Sequence, residues 1–306
     1  MSKVTVFGSF VVDLMGRAPH LPVPGETVKG SFFKKGAGGK GFNQGVAAHK
    51  AGADVTMVTK LGKDSFADIA LNAMKEINMS ADRVLYSDDV ETGSALIMVD
   101  ENTSQNEIVV VLGACNTITD EEVDSLNDVI SESEYLLTQL ETNISAVEKV
   151  VDMAYNEDVK VILNTAPVQP VTDELLKKIY LITPNEIEAE TLTGVKVDSK
   201  ESADKAADWF FDKGVENVVI TLGSRGVYIA TSERREIMPA FHVDAIDTTG
   251  AGDAFNGGLV AALAEGKDLF EACHFANGLA ALSVQRIGTT PAMPTREEID
   301  EFLRTH

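Results

Sequence analysis

Cysteine, aromatic side chains and positive charge are all scarce in this chain, and each scarcity removes a class of function. Two cysteines, Cys115 and Cys273, lie far apart and outside any CxxC pattern. That usage predicts free thiols in a reducing compartment and no zinc site. Aromatic residues are 6% of the chain and are not interleaved with cations, so no nucleobase-stacking platform is expected. Basic residues number 26 against 48 acidic ones, a net charge of −22. This excludes sequence-independent binding to nucleic acid or to an anionic membrane, which requires clustered Lys and Arg. His20, His49, His242, His274 and His306 show no metal-ligand spacing. No apolar run reaches the length of a membrane span, and the segment before Gly16, interrupted by Asp13, has no signal-peptide core. The expectation is a soluble, cytoplasmic protein whose partners are small molecules. A length of 306 residues supplies ample core.

Short β-rich runs alternate with helical patterns along most of the chain. Strands are predicted over residues 3–8, 55–59, 135–140, 160–163, 180–183 and 217–222. A helix is predicted from Thr119, where Thr119 and Glu122 form a capping box ahead of Val123, Leu126 and Ile130. Further helices are predicted over 143–155 and over 200–213, the latter stopped by Gly214. Apolar strands alternating with helices imply right-handed βαβ units and a mostly parallel sheet covered on both faces. Residues 27–35 and 93–113 break the rhythm, and residues 100–105 read as a polar turn between two β-runs. These regions predict a small antiparallel sheet standing off the main one. With no linker or repeat in view, residues 1–306 read as one α/β domain.

Ligands of an open parallel sheet lie beyond the carboxyl ends of its strands, and polar residues gather at those ends here. The run from Asp247 to Asp253, D-T-T-G-A-G-D, leads into Phe255, Leu259 and Leu263 at helical spacing. Such a turn is expected to aim the N–H groups of Gly250, Ala251 and Gly252 at an anion. Asp253, in the first helical turn, is a candidate base for a hydroxyl nucleophile, or else a dipole partner of the helix. The run from Gly36 to Gly41, G-A-G-G-K-G, satisfies GxGxxG, so a dinucleotide-binding oxidoreductase stays open. The strand after it ends in Lys60 rather than an acid, and Lys40 is not followed by the Ser or Thr of a phosphate-binding P-loop. A glycine turn with Lys40 and Asn43 also suits polar hydroxyls. Asn185 and Glu188 share one face of a helix start, where they read either as a cap or as a water-mediated Mg²⁺ site.

Taken together, these motifs resemble the ribokinase family of ATP-dependent sugar kinases. The resemblance rests on residues 36–43 and 247–253. It rests also on Gly8, Ser9 and Asp13, on the segments 24–27, 139–141, 183–186 and 221–226, and on Arg286, Ile287 and Gly288, all in family order. It implies a three-layer α/β sandwich with a small β lid near 14–36 and 93–113, and a homodimer formed lid to lid. It implies transfer of phosphate from ATP to the 5-hydroxyl of ribose, with Asp253 as base and residues 250–252 as anion hole. By the same resemblance the sugar meets Asp13, Gly39, Lys40, Asn43, Glu141 and Asp253. ATP lies along Asn185, Thr221, Gly223, Ser224, Arg225, Gly226, Gly252 and Asn277. Glu188 helps to hold Mg²⁺, and activating K⁺ lies at Asp247, Thr249, Ser283, Arg286, Gly288 and Ala292. One departure bears on substrate choice. Val11 stands where ribokinases carry an Asn that bonds a sugar hydroxyl, so a 2-deoxyribose kinase is the alternative. A non-catalytic sugar sensor on the same scaffold is a third reading, against which Asp253, Lys40 and the anion-hole glycines argue.

Overall fold

Residues 2–103 and 105–306 are described by a computed structural model; Ser104, in the predicted polar turn, lies outside them. In chain order the strands are β1 (Lys3–Phe7), β2 (Val11–Ala18), β3 (Phe32–Gly38), β4 (Asp54–Val58), β5 (Lys60–Gly62), β6 (Leu85–Ser87) and β7 (Thr92–Asp100). Then follow β8 (Asn106–Gly113), β9 (Tyr135–Gln139), β10 (Lys160–Asn164), β11 (Leu181–Ile182), β12 (Asn217–Thr221), β13 (Val227–Ala230) and β14 (Arg235–Met238). The helices are α1 (Lys40–Lys50), α2 (Ala67–Glu76), α3 (Asp120–Asp124), α4 (Asn127–Ser131), α5 (Ile144–Asn156) and α6 (Asp173–Leu176). The last five are α7 (Glu186–Thr193), α8 (Lys200–Asp212), α9 (Ala251–Ala264), α10 (Leu269–Ser283) and α11 (Arg296–Thr305).

The main sheet runs β14-β13-β12-β11-β10-β9-β1-β4, parallel from β4 to β12 and antiparallel only at β13 and β14. Its period-two side chains feed two cores. Val4, Val6, Leu137, Ile162 and Val219 join one core with α1, α9 and α10. Phe7, Leu136, Val161, Leu163, Val218 and Ile220 join the other with α5 and α8. Burial on both faces is what a parallel sheet between two helical layers requires.

The two irregular β regions form a second sheet, β3-β2-β7-β8. It differs from expectation in three ways. Residues 27–31 are not strand. The sheet is mixed rather than antiparallel, because β2 pairs with β7 in parallel. Its inner strand β2 was not anticipated, since Asp13 and Gly16 interrupt its apolar pattern. The helix expected from Thr119 is two short ones, α3 and α4, with the capping box intact. Both cysteines are buried and unpaired, and no described helix is long and apolar enough to cross a membrane.

Candidate active site

Strand order locates the site. From β1 the chain moves outward to β4 on one side, and then returns to β9 on the other. The carboxyl ends of β1 and β9 therefore flank the point where the winding reverses, the crevice where open α/β sheets bind ligands. One hydrogen bond closes it: Ser9 Oγ, just past β1, donates to Glu141 Oε2, just past β9, at 2.5 Å. The same oxygen accepts from the Lys40 main-chain N–H at 2.8 Å, which ties the start of α1 to this crevice.

The glycine turn before α1 follows β3 of the second sheet, not a strand of the main sheet. It therefore lacks the βαβ context of a dinucleotide fold, and that alternative falls away. Gly39 caps α1 at φ 92, a backbone conformation that side chains disfavour, and a Cβ there would stand 2.8 Å from Phe10 Cα.

Asp253 occupies the third position of α9, behind Gly250, which takes a left-handed cap at φ 75. Asn43 Nδ2 donates to its Oδ2 and Gln44 Nε2 to its Oδ1, each at 3.0 Å. Burial raises the Asp253 pKa; Lys40 and these two donors act against that rise, and Glu141 adds to it. The anion hole differs from expectation in one respect. The turn through Gly250 directs the Ala251 N–H onto Thr248 O at 3.2 Å. The N–H groups of Gly250, Gly252 and Asp253 have no acceptor among the described residues and remain to meet an anion.

Lys40 is the cation of this cluster. Burial disfavours its ammonium, but the carboxylates of Asp253, Glu141 and Glu188 outweigh that and hold its pKa above the usual lysine value. Asp13, on β2, has no such compensation. Burial, with the charges of Glu141 and Asp253 and no hydrogen bond among the described residues, pushes its carboxyl up to about 6. A carboxylate kept ionised there at neutral pH opposes folding, and the penalty fades as pH falls through 6 toward the unfolded value. Asp13→Asn is therefore expected to raise the Tm of the unliganded protein by a few degrees at pH 7.5, with the gain gone near pH 4. If Asp13 binds sugar hydroxyls, the same variant raises the sugar KM about 10- to 100-fold. Paired melts and kinetics check both.

Of the other predicted residues, Thr221 ends β12 and Asn185 lies just past β11. Asn185 bridges to Thr221 in parallel register, and Gly223–Arg225 form a 3₁₀ turn between β12 and β13. Arg225 pairs with Glu186 at 2.6 Å, and Asn277, buried on α10, donates to Pro239 O at 3.4 Å. Asn185 and Glu188 form a reciprocal capping box, and Thr165 Oγ1 also donates to Glu188 Oε2 at 3.1 Å. Asp247 accepts from the N–H groups of Thr249 and Gly288, at 3.0 and 2.9 Å, which joins the loop before α9 to the loop before α11. Ser283 donates to Ala280 O, Arg286 pairs with Glu298, and Ala292 is buried.

Gln44, Asn164 and Asn256 were not singled out by sequence. Gln44 lies one helical turn beyond Lys40 and beside Asn43, so helix phase was the available signal. Asn164 and Asn256 carry no local mark.

The chain matches the pfkB family of carbohydrate kinases over residues 1–296. It is 43% identical over 300 residues to the ribokinase of Haemophilus influenzae, covering 98% of each chain. It is 34% identical over 301 residues to the deoxyribokinase of Salmonella typhi, again covering 98% of each. Its fold overlays that of the Arabidopsis thaliana ribokinase complexed with ribose and ATP at a TM-score of 0.92, with 29% identity and 99% coverage of both chains. The architecture is ribokinase-like, and with sequence and fold matched from end to end the chain belongs to the pfkB family of carbohydrate kinases.

Proposed function

We propose that this enzyme transfers the γ-phosphoryl group of ATP to the 5-hydroxyl of ribose, giving ribose 5-phosphate. The observation that carries the reading is the placement of a buried carboxylate, Asp253, in the first turn of a helix where the N–H groups of Gly250, Gly252 and Asp253 have no acceptor among the described residues. A base and an anion site side by side are what phosphoryl transfer to an alcohol needs, since that reaction depends chiefly on positioning and charge stabilisation. Asp253 takes the hydroxyl proton, and the N–H groups of Gly250, Gly252 and Asp253 meet the phosphoryl oxygens. Asp13, Gly39, Lys40, Asn43 and Glu141 hold the sugar, while Asn185, Thr221, residues 223–226, Gly252 and Asn277 line the nucleotide. The match to ribokinases supports both assignments.

A divalent cation would neutralise the phosphates. Both Glu188 oxygens already accept within the capping box, so Glu188 and Asn185 fit Mg²⁺ through its waters rather than by direct chelation. Among the described residues no group of three His, Cys, Asp or Glu is arranged to hold a metal by itself. For K⁺ we read Asp247 with the main-chain carbonyls of Thr249, Ser283, Arg286, Gly288 and Ala292, an oxygen donor set of low charge; the contacts of Asp247 with the N–H groups of Thr249 and Gly288 support the joining of the two loops. Arg286, held by Glu298, and Ala292 have only a carbonyl to offer. We read the second sheet as a lid over the sugar. On β8, Ile108, Val109 and Val111 are all more than half exposed, so this strand shows apolar side chains on both faces. That supports closure over the site by one face and lid-to-lid pairing of two copies by the other.

Substrate choice turns on Val11. It is buried at the start of β2, paired with Gly38 and Gly93, and it offers no hydrogen bond to a hydroxyl. The likeness to a deoxyribokinase favours 2-deoxyribose as a second substrate. The test is an ADP-release assay with Mg-ATP and KCl on ribose, 2-deoxyribose, fructose and adenosine. Turnover of ribose is expected, with 2-deoxyribose accepted; failure on both pentoses would sink the reading. Val11→Asn is expected to shift the ribose to deoxyribose ratio of kcat/KM toward ribose about 2- to 10-fold. An unchanged ratio removes Val11 from the argument.

A further inference from the structure

Gln44 is fully buried on α1, and no role in sugar or nucleotide binding has been given to it. Its Nε2 donates at 3.0 Å to both Asp253 Oδ1 and Asn164 Oδ1, and its Oε1 accepts from Gln139 Nε2 at 2.7 Å. The sense of every amide in this chain follows from its ends. Asn164 must donate to the Thr183 carbonyl, at 2.7 Å, because a main-chain oxygen only accepts; its Oδ1 therefore faces Gln44. The Asp253 carboxylate also only accepts. Two acceptors thus meet one Gln44 nitrogen, which has two hydrogens to give, and the Gln44 oxygen is left to Gln139. Gln139 Oε1 ends the chain buried and unpaired among the described residues, in room left by Gly8, where a Cβ would stand 2.0 Å away.

The ring closes on the other side. Thr183 Oγ1 donates to Asn256 Oδ1 at 2.6 Å, and Asn256 Nδ2 to Gly252 O at 2.9 Å, next to Asp253 on α9. Gly257 lets α9 approach α1 this closely, since a Cβ there would fall 2.4 Å from that of Ala47. The ends of β9, β10 and β11 therefore converge through side-chain amides on one carboxylate oxygen.

We propose that Gln44 is a positioning residue for the Asp253 base, and that Gln139, acting through Gln44, fixes which end of the Gln44 amide the base meets. The proposal rests on the reading of Asp253 as the base. An N–H donor favours the ionised carboxylate over the protonated one, so a base without it keeps its proton to higher pH. The charged groups facing Asp253 are Lys40 from α1, Glu141 after β9 and Asp13 from β2. All three stay in place in the variants below.

The experiment is the pre-steady-state rate of phosphorylation at saturating sugar and Mg-ATP from about pH 5 to 9. It compares wild type, Gln44→Leu, Gln44→Glu, Gln139→Leu, the Gln44→Leu/Gln139→Leu double variant and Asp253→Asn. The acid limb of the rate is expected to move up by about one pH unit in Gln44→Leu. It moves further in Gln44→Glu, which keeps the shape but sets a second carboxylate against the base. Gln139→Leu moves it less, in the same direction, and adds nothing in the double variant. An acid limb unmoved in both Gln44 variants, with the rate lowered evenly, would make the ring structural only and overturn the proposal. Displacements that add in the double variant would overturn the part given to Gln139. Thermal melts confirm folding, and Gln44→Glu carries the test if Gln44→Leu does not fold. A wild-type rate in Asp253→Asn would instead overturn the base itself, which separates the two failures.

Discussion

Asp253→Asn is expected to fold as the wild type does and to lose kcat by about 10²- to 10⁴-fold, the usual contribution of a well-placed general base. The amide has the size of the carboxylate but no basic lone pair with which to take the hydroxyl proton. Stability should not suffer. Burial raises the Asp253 pKa in spite of Lys40 and its two amide donors, so the ionised group opposes folding at neutral pH and is relieved as pH falls through its raised value. The substitution removes that penalty, although one of the donors from Asn43 and Gln44 must then turn to face an N–H. Sugar KM should change far less than kcat, because the lost interaction belongs to the transition state. The check is steady-state ADP release together with a thermal melt. A kcat within about tenfold of wild type, in a folded variant, would place the base elsewhere.

Lys40→Met is expected to lower kcat/KM about 10²- to 10³-fold at neutral pH, with part of the loss recovered as pH rises. The reason is charge. Asp253, Glu141 and Asp13 crowd one crevice, and Lys40 is the cation that the first two share with Glu188. Without it the Asp253 carboxyl keeps its proton to higher pH, so a smaller share of the enzyme holds an ionised base at a given pH. The ammonium, whose pKa is held above normal in the folded state, contributes stability at neutral pH and below, so its loss lowers Tm as well. A pH series of kcat/KM distinguishes the causes. A loss equal at all pH values would limit Lys40 to contact with the sugar or the phosphates.

The place of Asp253 in the first turn of α9 was legible in the sequence, whereas its hydrogen-bond partners were not. The small-residue turn ahead of an apolar helix and the carboxylate in the first turn are local features within seven residues, and local features are legible in a linear pattern. The same holds for the short apolar strand runs of the main sheet and for the boxes Thr119–Glu122 and Asn185–Glu188, both formed as their spacing predicts. Strand β2 was not legible, because a strand of the second sheet that is only half buried carries no clean alternation. Nor was its parallel pairing with β7, which depends on a partner about eighty positions away.

What the amino-acid order determined by itself was the class of the fold, the two glycine turns and the carboxylate in the first turn of α9, because helix phase, short apolar runs and capping act over a few residues. What only the tertiary structure decided was which strand ends meet. The reversal of winding between β1 and β9 brings Ser9 to Glu141, and the close approach of α1 to α9 brings Gln44 and Asn43 to Asp253. Those partners are 132 and 209 to 210 positions apart in the chain. Buried polar side chains find one another only when the layers close and no water remains to take the hydrogen bond, so their pairing belongs to packing rather than to pattern.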